Sequence, residues 1–177
     1  MIHWYINVLM TNSDRLAEVL RRSRPFRSPS QKAVVGLLRT TDLLRRRLSD
    51  TVAAEGITLQ QYNVLRILRG AGKEGLPTLT VAERMIERTP GVTRLLDRLE
   101  EAGWVERTRC TDDRRRVLAS ITPVGLELLA RLDHPLAQAE EDAFRALTEG
   151  EMEAFLHALE TVRSSLEAED GPAVPAR

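Results

Sequence analysis

Apolar residues recur every three or four positions along most of this chain, and that spacing predicts a mainly helical fold. The first helix is predicted from Gln31 to about Ala54, and Gly56 ends it. Its apolar positions are Val34, Leu37, Leu38, Leu44, Leu48 and Val52. Residues 21–30 read RRSRPFRSPS and interrupt the pattern, so residues 1–30 are predicted to be an N-terminal extension with a flexible basic linker.

Capping boxes mark the start of the next two predicted helices, because a Thr followed three residues later by Gln or Glu satisfies backbone groups at a helix start. The boxes are Thr58 with Gln61 and Thr80 with Glu83. The first of these helices is predicted to stop at Gly70 and to be followed by the loop Ala71–Pro77. The second is short and extends to about Glu87.

A fourth helix is predicted immediately afterwards, since Thr89 has the character of an N-cap and Pro90 suits the first helical position. Gly103 is predicted to terminate it. Its buried face consists of Val92, Leu95, Leu96 and Leu99. Two short helices separated by a tight turn therefore lie close together in the sequence.

The pattern then changes to two β-compatible runs, Trp104–Arg109 and Arg116–Ile121, which the polar loop Cys110–Arg115 joins into a hairpin. Helix, tight turn, helix and hairpin, in this order, are typical of a winged helix-turn-helix, which places its second helix in the DNA major groove. The sequence therefore predicts a mainly α fold with a small β-wing, in which residues 57–122 are the DNA-binding domain.

Two further helices follow the hairpin. They are predicted at 123–142, beginning with the Thr122 cap and Pro123, and at 148–166, beginning with a Thr148 and Glu151 capping box. Their apolar positions are Leu126, Leu129, Leu132, Leu136, Met152, Phe155, Leu156, Leu159, Val162 and Leu166. With the helix of segment 31–56, these carry more apolar surface than one small winged domain covers, so segments 31–56 and 123–166 are predicted to be the helical dimerisation region of a homodimer. The tail 167–177 is predicted to be loose.

The zero formal net charge, from 26 basic and 26 acidic side chains, is unevenly distributed. Residues 1–122 contain 22 basic and 14 acidic side chains, whereas residues 123–177 contain 4 and 12. This division favours a part that faces nucleic acid and an acidic part turned away from it. No apolar stretch approaches the roughly 20 residues that a membrane helix needs, so no membrane partner is expected. With a single cysteine, the chain is expected to act in the cytoplasm.

The exposed face of the predicted fourth helix carries the candidate DNA-contacting residues. They are Thr89, Pro90, Gly91, Thr93, Arg94 and Arg98. Arg94 lies near the end that enters the groove first and is the best candidate for a bidentate contact with guanine. Arg98, one turn later, is better placed for a phosphate. Alternatively, Arg98 lies on a solvated helix face, paired with Asp97 or Glu101.

Two motifs resemble those of the MarR family of transcriptional regulators. They are VTRLLDRLEEAGWVER at 92–107, and DRR at 113–115 followed by IT-x-x-G at 121–125. The resemblance covers about residues 31–166 and implies a winged-helix homodimer that binds pseudo-palindromic, double-stranded operator DNA, with a small-molecule effector and usually a repressor's action. Ile86, Glu87 and Arg88 in the turn depart from the commoner family pattern, as does the extension before residue 31. The basic residues of that extension belong either to an arm along DNA phosphates or to a loose tail.

The same resemblance implies roles for four residues of the wing. They are Asp113, Arg114, Arg115 and Arg116. Arg115 is implied to enter the minor groove with Asp113 orienting it, which agrees with the attraction of arginine to narrow minor grooves. Arg114 and Arg116 are implied to lie beside phosphates. The alternative is a solvated, charged hairpin turn.

Other functions have less support in the sequence. Cys110, beside basic residues in the wing, is a candidate oxidant sensor, although the chain holds no second cysteine to resolve its oxidised form. A helical protein-interaction module could use the same fold. Catalysis, cofactors and metal binding are not expected, because His3, His134 and His157 are scattered and no catalytic or phosphate-loop motif occurs. His134 is either a surface residue or part of a ligand pocket.

Overall fold

The structure, a computed structural model, describes residues 16–21, 25–87, 90–109 and 117–170. The helices are α1 (Pro29–Ala53), α2 (Leu59–Ala71), α3 (Thr78–Arg84), α4 (Val92–Glu101), α5 (Pro123–Phe144) and α6 (Glu149–Asp170). The strands are β1 (Leu76–Pro77), β2 (Val105–Arg109) and β3 (Val117–Ile121). The chain divides into two compact units, residues 1–47 and residues 48–177.

The first unit contains a helical turn at residues 16–19 and most of α1. This helix begins at Pro29, two residues before the predicted start, because the Ser28 Oγ accepts a hydrogen bond from the Gln31 backbone N at 3.1 Å. The predicted linker therefore ends in a helix cap. Several large apolar side chains in this unit are exposed, and they are Val19, Val34, Leu37, Leu38 and Leu43.

The second unit contains one hydrophobic core. It is formed by Val52, Ile57, Val64, Leu65, Leu68, Val81, Met85, Val92, Leu96, Leu99, Val105, Ala119, Leu128, Leu129, Leu132 and Leu136. Each fully buried leucine stabilises the fold by about 1.5–3 kcal/mol relative to an exposed one. Because α2, α3, α4, α5 and the hairpin all contribute, this core determines how α4 and the wing are placed.

Helix α2 begins as predicted, with the capping box of Thr58 and Gln61 formed in both directions at 2.9 and 3.2 Å. Its predicted end at Gly70 is wrong by one residue, because the helix continues to Ala71 and only Gly72 adopts a positive φ of 67°. A 3₁₀ turn follows at Gly72–Glu74.

The sheet has the antiparallel strand order β1-β3-β2, so the predicted loop at 71–77 is partly wrong. Leu76 pairs with Ala119, and Pro77 pairs with Leu118. A strand of two residues is too short to show alternation in the sequence. Gly75 permits the close approach of β1, because a Cβ there would lie 2.6 Å from the Ala119 carbonyl O and the residue has a φ of 67°.

The predicted capping box at Thr80 is wrong, because α3 begins two residues earlier, at Thr78. Pairing with β3 holds Pro77 in an extended conformation, with ψ at 146°, and the helix follows at once. Thr80 therefore lies inside the helix. The helix ends at Arg84, three residues before the predicted Glu87.

The predicted start of α4, with Pro90 at the first helical position, is also wrong. Gly91 has a left-handed conformation, with φ 94° and ψ 28°, so the helix begins at Val92 and Pro90 lies in the turn. Thr89, the predicted cap, lies outside the described residues. The end of the helix at Glu101 agrees with the prediction that Gly103, with a φ of 75°, terminates it.

The predicted hairpin is confirmed as β2 and β3, in register from Val105 opposite Ile121 to Arg109 opposite Val117. Helix α5 begins as predicted, with Thr122 accepting a hydrogen bond from the Gly125 N at 3.1 Å. Leu126, one of the predicted apolar positions of this helix, is exposed. The buried stripe of α5 consists of Gly125, Leu128, Leu129, Leu132, Leu136 and Ala139, and position 126 lies about 100° away from it around the helix.

Helix α6 begins with the predicted capping box of Thr148 and Glu151, at 2.9 and 3.4 Å. Phe144 and Phe155 join α5 to α6, with ring centroids 5.9 Å apart. The helix continues to Asp170, so the first four residues of the predicted loose tail are helical, and 171–177 lie outside the described residues. Within the part of the chain that is described, none of the helices is both long and apolar enough to cross a membrane.

Candidate nucleic-acid interface

Helix α4 has one buried face and one exposed face, as its sequence predicts. Val92, Leu96 and Leu99 are buried in the core and Leu95 is half-buried. Thr93, Arg94 and Arg98 are exposed. The core therefore fixes which side chains of this helix face outward.

Two cationic side chains on the exposed face, Arg94 and Arg98, lie one helical turn apart. Among the residues that the structure describes, neither guanidinium forms a hydrogen bond or an ion pair. The alternative that Arg98 pairs with Asp97 or Glu101 is not realised, because Asp97 pairs with Arg107 instead. Two neighbouring guanidinium groups without an acceptor favour an anionic ligand such as a nucleic-acid backbone.

Both arginines line an open groove of about 380 Å³. Its lining residues are Gln60, Pro90, Gly91, Arg94, Leu95 and Arg98. The groove thus joins the beginning of α2 to the beginning of α4. It brings together four of the predicted site residues, and the fifth described one, Thr93, is exposed on the same helix.

The turn before α4 is held by a residue that the sequence analysis did not single out. The Asn63 Oδ1, on α2, accepts a hydrogen bond from the Ile86 backbone N at 3.1 Å. The Ile86 side chain is 86% exposed, so this residue is held by its backbone contact, while the buried side chain of Met85 beside it packs in the core. A polar residue between the apolar positions of α2 is the only sequence signal for this role.

Arg107 on β2 is a second residue that sequence reasoning missed. Its guanidinium donates to the Asp97 carboxylate and, at 3.4 Å, to the Thr93 carbonyl O. Its Nε lies 3.5 Å from the Glu100 Oε2. We call these four residues the Arg107 cluster. The alternation of β2 places position 107 on the inner side of the hairpin, which is the signal that could have identified it.

The wing is described only at its base, up to Arg109 and from Val117 onward. The remaining predicted site residues lie outside the described residues, and they are Thr89, Asp113, Arg114, Arg115 and Arg116. Cys110, the candidate oxidant sensor, also lies outside them. Their roles therefore stay predictions.

Ion pairs join α5 to residues that precede the wing in the chain. Arg69 on α2 forms a bidentate contact with Asp133, at 2.8 and 3.0 Å, and this hydrogen-bonded guanidinium lowers the pKa of the Asp133 carboxyl. Arg131 on α5 contacts Glu55 at 2.9 Å. These contacts hold the helix that follows the wing against the elements that precede it.

An arginine and a tyrosine contact each other on the surface of α2. The Arg66 guanidinium lies 5.7 Å from the Tyr62 ring centroid and donates to the phenol oxygen at 2.8 Å, which raises the pKa of Arg66. His134 is exposed on α5 and is not among the residues lining the groove. Across the described ranges, no group of three His, Cys, Asp or Glu side chains has the arrangement of a metal site.

Comparisons with known proteins identify the family. The MarR family model matches residues 57–117. The chain is similar to the HTH-type transcriptional regulator PecS of Dickeya dadantii (strain 3937), at 31% identity over 134 residues, 74% of this chain and 80% of PecS. It is also similar to the crystal structure of a MarR transcription factor from Planctomyces limnophilus, at 36% identity over 77% of this chain and 98% of that chain, with a TM-score of 0.60. The crystal structure of an S. aureus MepR–DNA complex is 25% identical and covers 73% of this chain and 95% of that chain, with a TM-score of 0.67. The chain belongs to the MarR family of transcriptional regulators.

Proposed function

We propose that this MarR-family regulator binds a specific double-stranded DNA sequence as a homodimer in the cytoplasm, and that it is a repressor released by a small-molecule effector. The observation that carries the DNA-binding part is the pair Arg94 and Arg98, exposed on α4 and without an acceptor among the described residues. The DNA-bound crystal structure of the similar MepR supports it.

In this proposal α4 enters the major groove with its N-terminal end first. Arg94 forms a bidentate contact with guanine O6 and N7, which discriminates against the wrong base by about 1–3 kcal/mol. Arg98, one turn later, contacts a phosphate and fixes the register. Thr89, Pro90, Gly91 and Thr93 surround the entering end of the helix.

The wing supplies the second set of contacts. We propose that Arg115 enters the minor groove, that Asp113 orients it, and that Arg114 and Arg116 lie beside phosphates. The family resemblance supports these roles. So does the observed stem of the hairpin, because β2 and β3 are paired up to Arg109 and from Val117, directly on either side of the wing loop.

The homodimer is proposed from exposed apolar surface in each unit. On α1 the exposed side chains are Val34, Leu37, Leu38 and Leu43, and on α6 they are Leu156, Val162 and Leu166. A two-fold dimer would cover such surfaces, and dimeric helix-turn-helix proteins bind DNA half-sites about 34 Å apart, at successive turns of the major groove. Sedimentation velocity at several protein concentrations tests it, and a monomer at all of them would refute it.

The DNA-binding proposal is tested by selecting duplexes from a random library and measuring affinity for the selected and a scrambled duplex at several salt concentrations. Arg94→Ala is expected to reduce the preference for the selected duplex by about 1–3 kcal/mol. Arg98→Ala is expected to weaken binding to both duplexes and to reduce the slope of log affinity against log salt by about 0.9. Arg145→Ala, at the end of α5, is the control and should change neither quantity. Failure of the wild-type chain to select any sequence would refute the proposal.

The regulatory part is tested separately, with a reporter gene placed behind the selected sequence. Repression predicts lower reporter expression when the wild-type protein is present and restored expression for Arg94→Ala. Increased reporter expression with the wild-type protein would instead identify an activator.

A further inference from the structure

The Arg107 cluster joins the first strand of the wing to the proposed recognition helix. Only 19% of the Arg107 side chain is exposed, whereas Asp97 and Glu100 are 47% and 43% exposed. A partly buried guanidinium on β2 therefore forms ion pairs with carboxylates that lie on the surface of α4. The Arg107 side chain thus bridges the wing and α4, both of which are proposed to contact DNA.

The three residues that Arg107 contacts form one line along α4. Thr93, Asp97 and Glu100 are separated by four and three residues, which places them on the same side of a helix over a length of about 10 Å. Contacts at both ends of such a line resist rotation of the helix about its own axis. They also resist a change of its angle to β2.

The two arginines that are proposed to contact DNA form a second line along α4, parallel to this one. Arg94 follows Thr93 by one residue and Arg98 follows Asp97 by one residue, so the two lines are offset by about 100° around the helix. A rotation that released the Arg107 contacts would therefore displace both arginines together. Direct base contacts depend on the position of the donor atoms, whereas non-specific attraction to phosphates depends mainly on charge.

We infer that Arg107 is a positioning residue for DNA recognition, which acts through Asp97 to hold α4 at the rotation and angle that Arg94 and Arg98 need. The inference rests on the proposed function. It predicts that Asp97, an acidic residue on the proposed DNA-binding helix, is required for tight sequence-specific binding even though its charge repels DNA.

Asp97→Asn is the decisive variant, because positioning and charge predict opposite changes in its DNA affinity. The change keeps the shape of the side chain and removes its negative charge, so charge alone predicts tighter binding to every duplex. Positioning predicts the opposite for the selected duplex, a loss of affinity of about 10-fold or more, as for a lost base contact. Glu101→Gln is the matched control, because it removes the same charge from α4 outside the cluster and should leave binding equal or tighter.

Arg107→Gln separates positioning from direct contact with DNA. Positioning predicts the same loss of affinity for the selected duplex with an unchanged salt dependence. A phosphate contact by Arg107 would reduce the salt slope by about 0.9, and that result would overturn the inference. The double variant Asp97→Asn with Arg107→Gln should bind no more weakly than the weaker single variant, because both remove one interaction.

Hydrogen exchange reports on α4 without DNA. The amides of residues 92–101 should exchange faster in Asp97→Asn than in the wild type or Glu101→Gln, with circular dichroism showing that all three are folded. Unchanged exchange, or tighter binding of Asp97→Asn to the selected duplex, would overturn the inference. If the wild type selects no sequence, the proposed function fails, while faster exchange in Asp97→Asn still supports positioning of α4 and unchanged exchange still refutes it.

Discussion

Replacement of Gly125 by Ala places a methyl group where the wing meets α5. The new Cβ would lie 2.4 Å from the Trp104 carbonyl O and 2.8 Å from the Ile121 Cγ1, against about 3.4 Å or more for ordinary contact. One of these groups, or the helix, must therefore move by roughly 1 Å. The Trp104 oxygen also accepts a hydrogen bond from the Thr122 N at 3.0 Å, directly before α5, so it cannot move freely.

The magnitude follows from opposing effects. Alanine is favoured over glycine inside a helix by about 1 kcal/mol. Overpacking against a backbone group costs about 1–3 kcal/mol, and weakening the hydrogen bond to Trp104 costs about 0.5–1.5 kcal/mol. We therefore expect Gly125→Ala to lower the free energy of unfolding by about 1–3 kcal/mol, which for a chain of this size lowers Tm by about 2–12 °C.

The assay is thermal unfolding followed by circular dichroism at one fixed protein concentration, since the proposed dimerisation would make Tm depend on concentration. Gly70→Ala is the matched control, because Gly70 is also helical and a Cβ there meets no atom within 4 Å. This variant should be as stable as the wild type or more stable. A Gly125→Ala protein that is also stabilised would refute the argument from close approach.

Two other contacts predict the direction in which a substitution changes the stability of the fold. Asn63→Ala removes the acceptor for the Ile86 N and should lower the free energy of urea unfolding by about 0.5–1.5 kcal/mol. Asn63→Asp keeps an acceptor at this position and is the control. Equal stability of the alanine variant and the wild type would contradict the role of this contact. Because Arg69 lowers the folded-state pKa of Asp133, the stability that this pair adds is fully present above the ordinary pKa of 3.8 and is lost as the pH falls through the lower, folded-state value. Because both groups are partly exposed, Asp133→Asn should lower the free energy of unfolding by about 0.2–1 kcal/mol at pH 7 and by progressively less below pH 3.8. A loss of stability that is independent of pH would contradict this assignment.

Local signals in the sequence predicted most of the helices and the hairpin. The capping boxes at Thr58 and Thr148 and the cap at Thr122 are formed as expected, because capping depends on side chains within three or four residues of each other. The same reasoning failed at Thr80 and Pro90, where the helices begin at Thr78 and Val92. At these points strand pairing and a left-handed glycine, rather than the local cap signal, determine the start of the helix.

Some features of the candidate site could likewise be predicted from the sequence, and others could not. The exposed positions of Arg94 and Arg98 could be predicted, because the periodicity of α4 assigns its apolar residues to the core. The contacts of Asn63 and Arg107 could not, because they join residues 23 and 10 positions apart in the chain. Their partners depend on how α2, α4 and β2 are packed.

The sequence by itself determined the order of elements, the exposed face of α4 and the resemblance to MarR regulators, since all three depend on residue types at short, regular spacing. Only the tertiary structure decided that β1 completes the sheet, that Gly75 and Gly125 lie at close backbone approaches, and that Asp97 pairs with Arg107 rather than Arg98. The physical reason is that periodicity and capping act within a few residues. Strand pairing, close approach and ion pairing between elements are fixed by the shared core, which brings distant parts of the chain together.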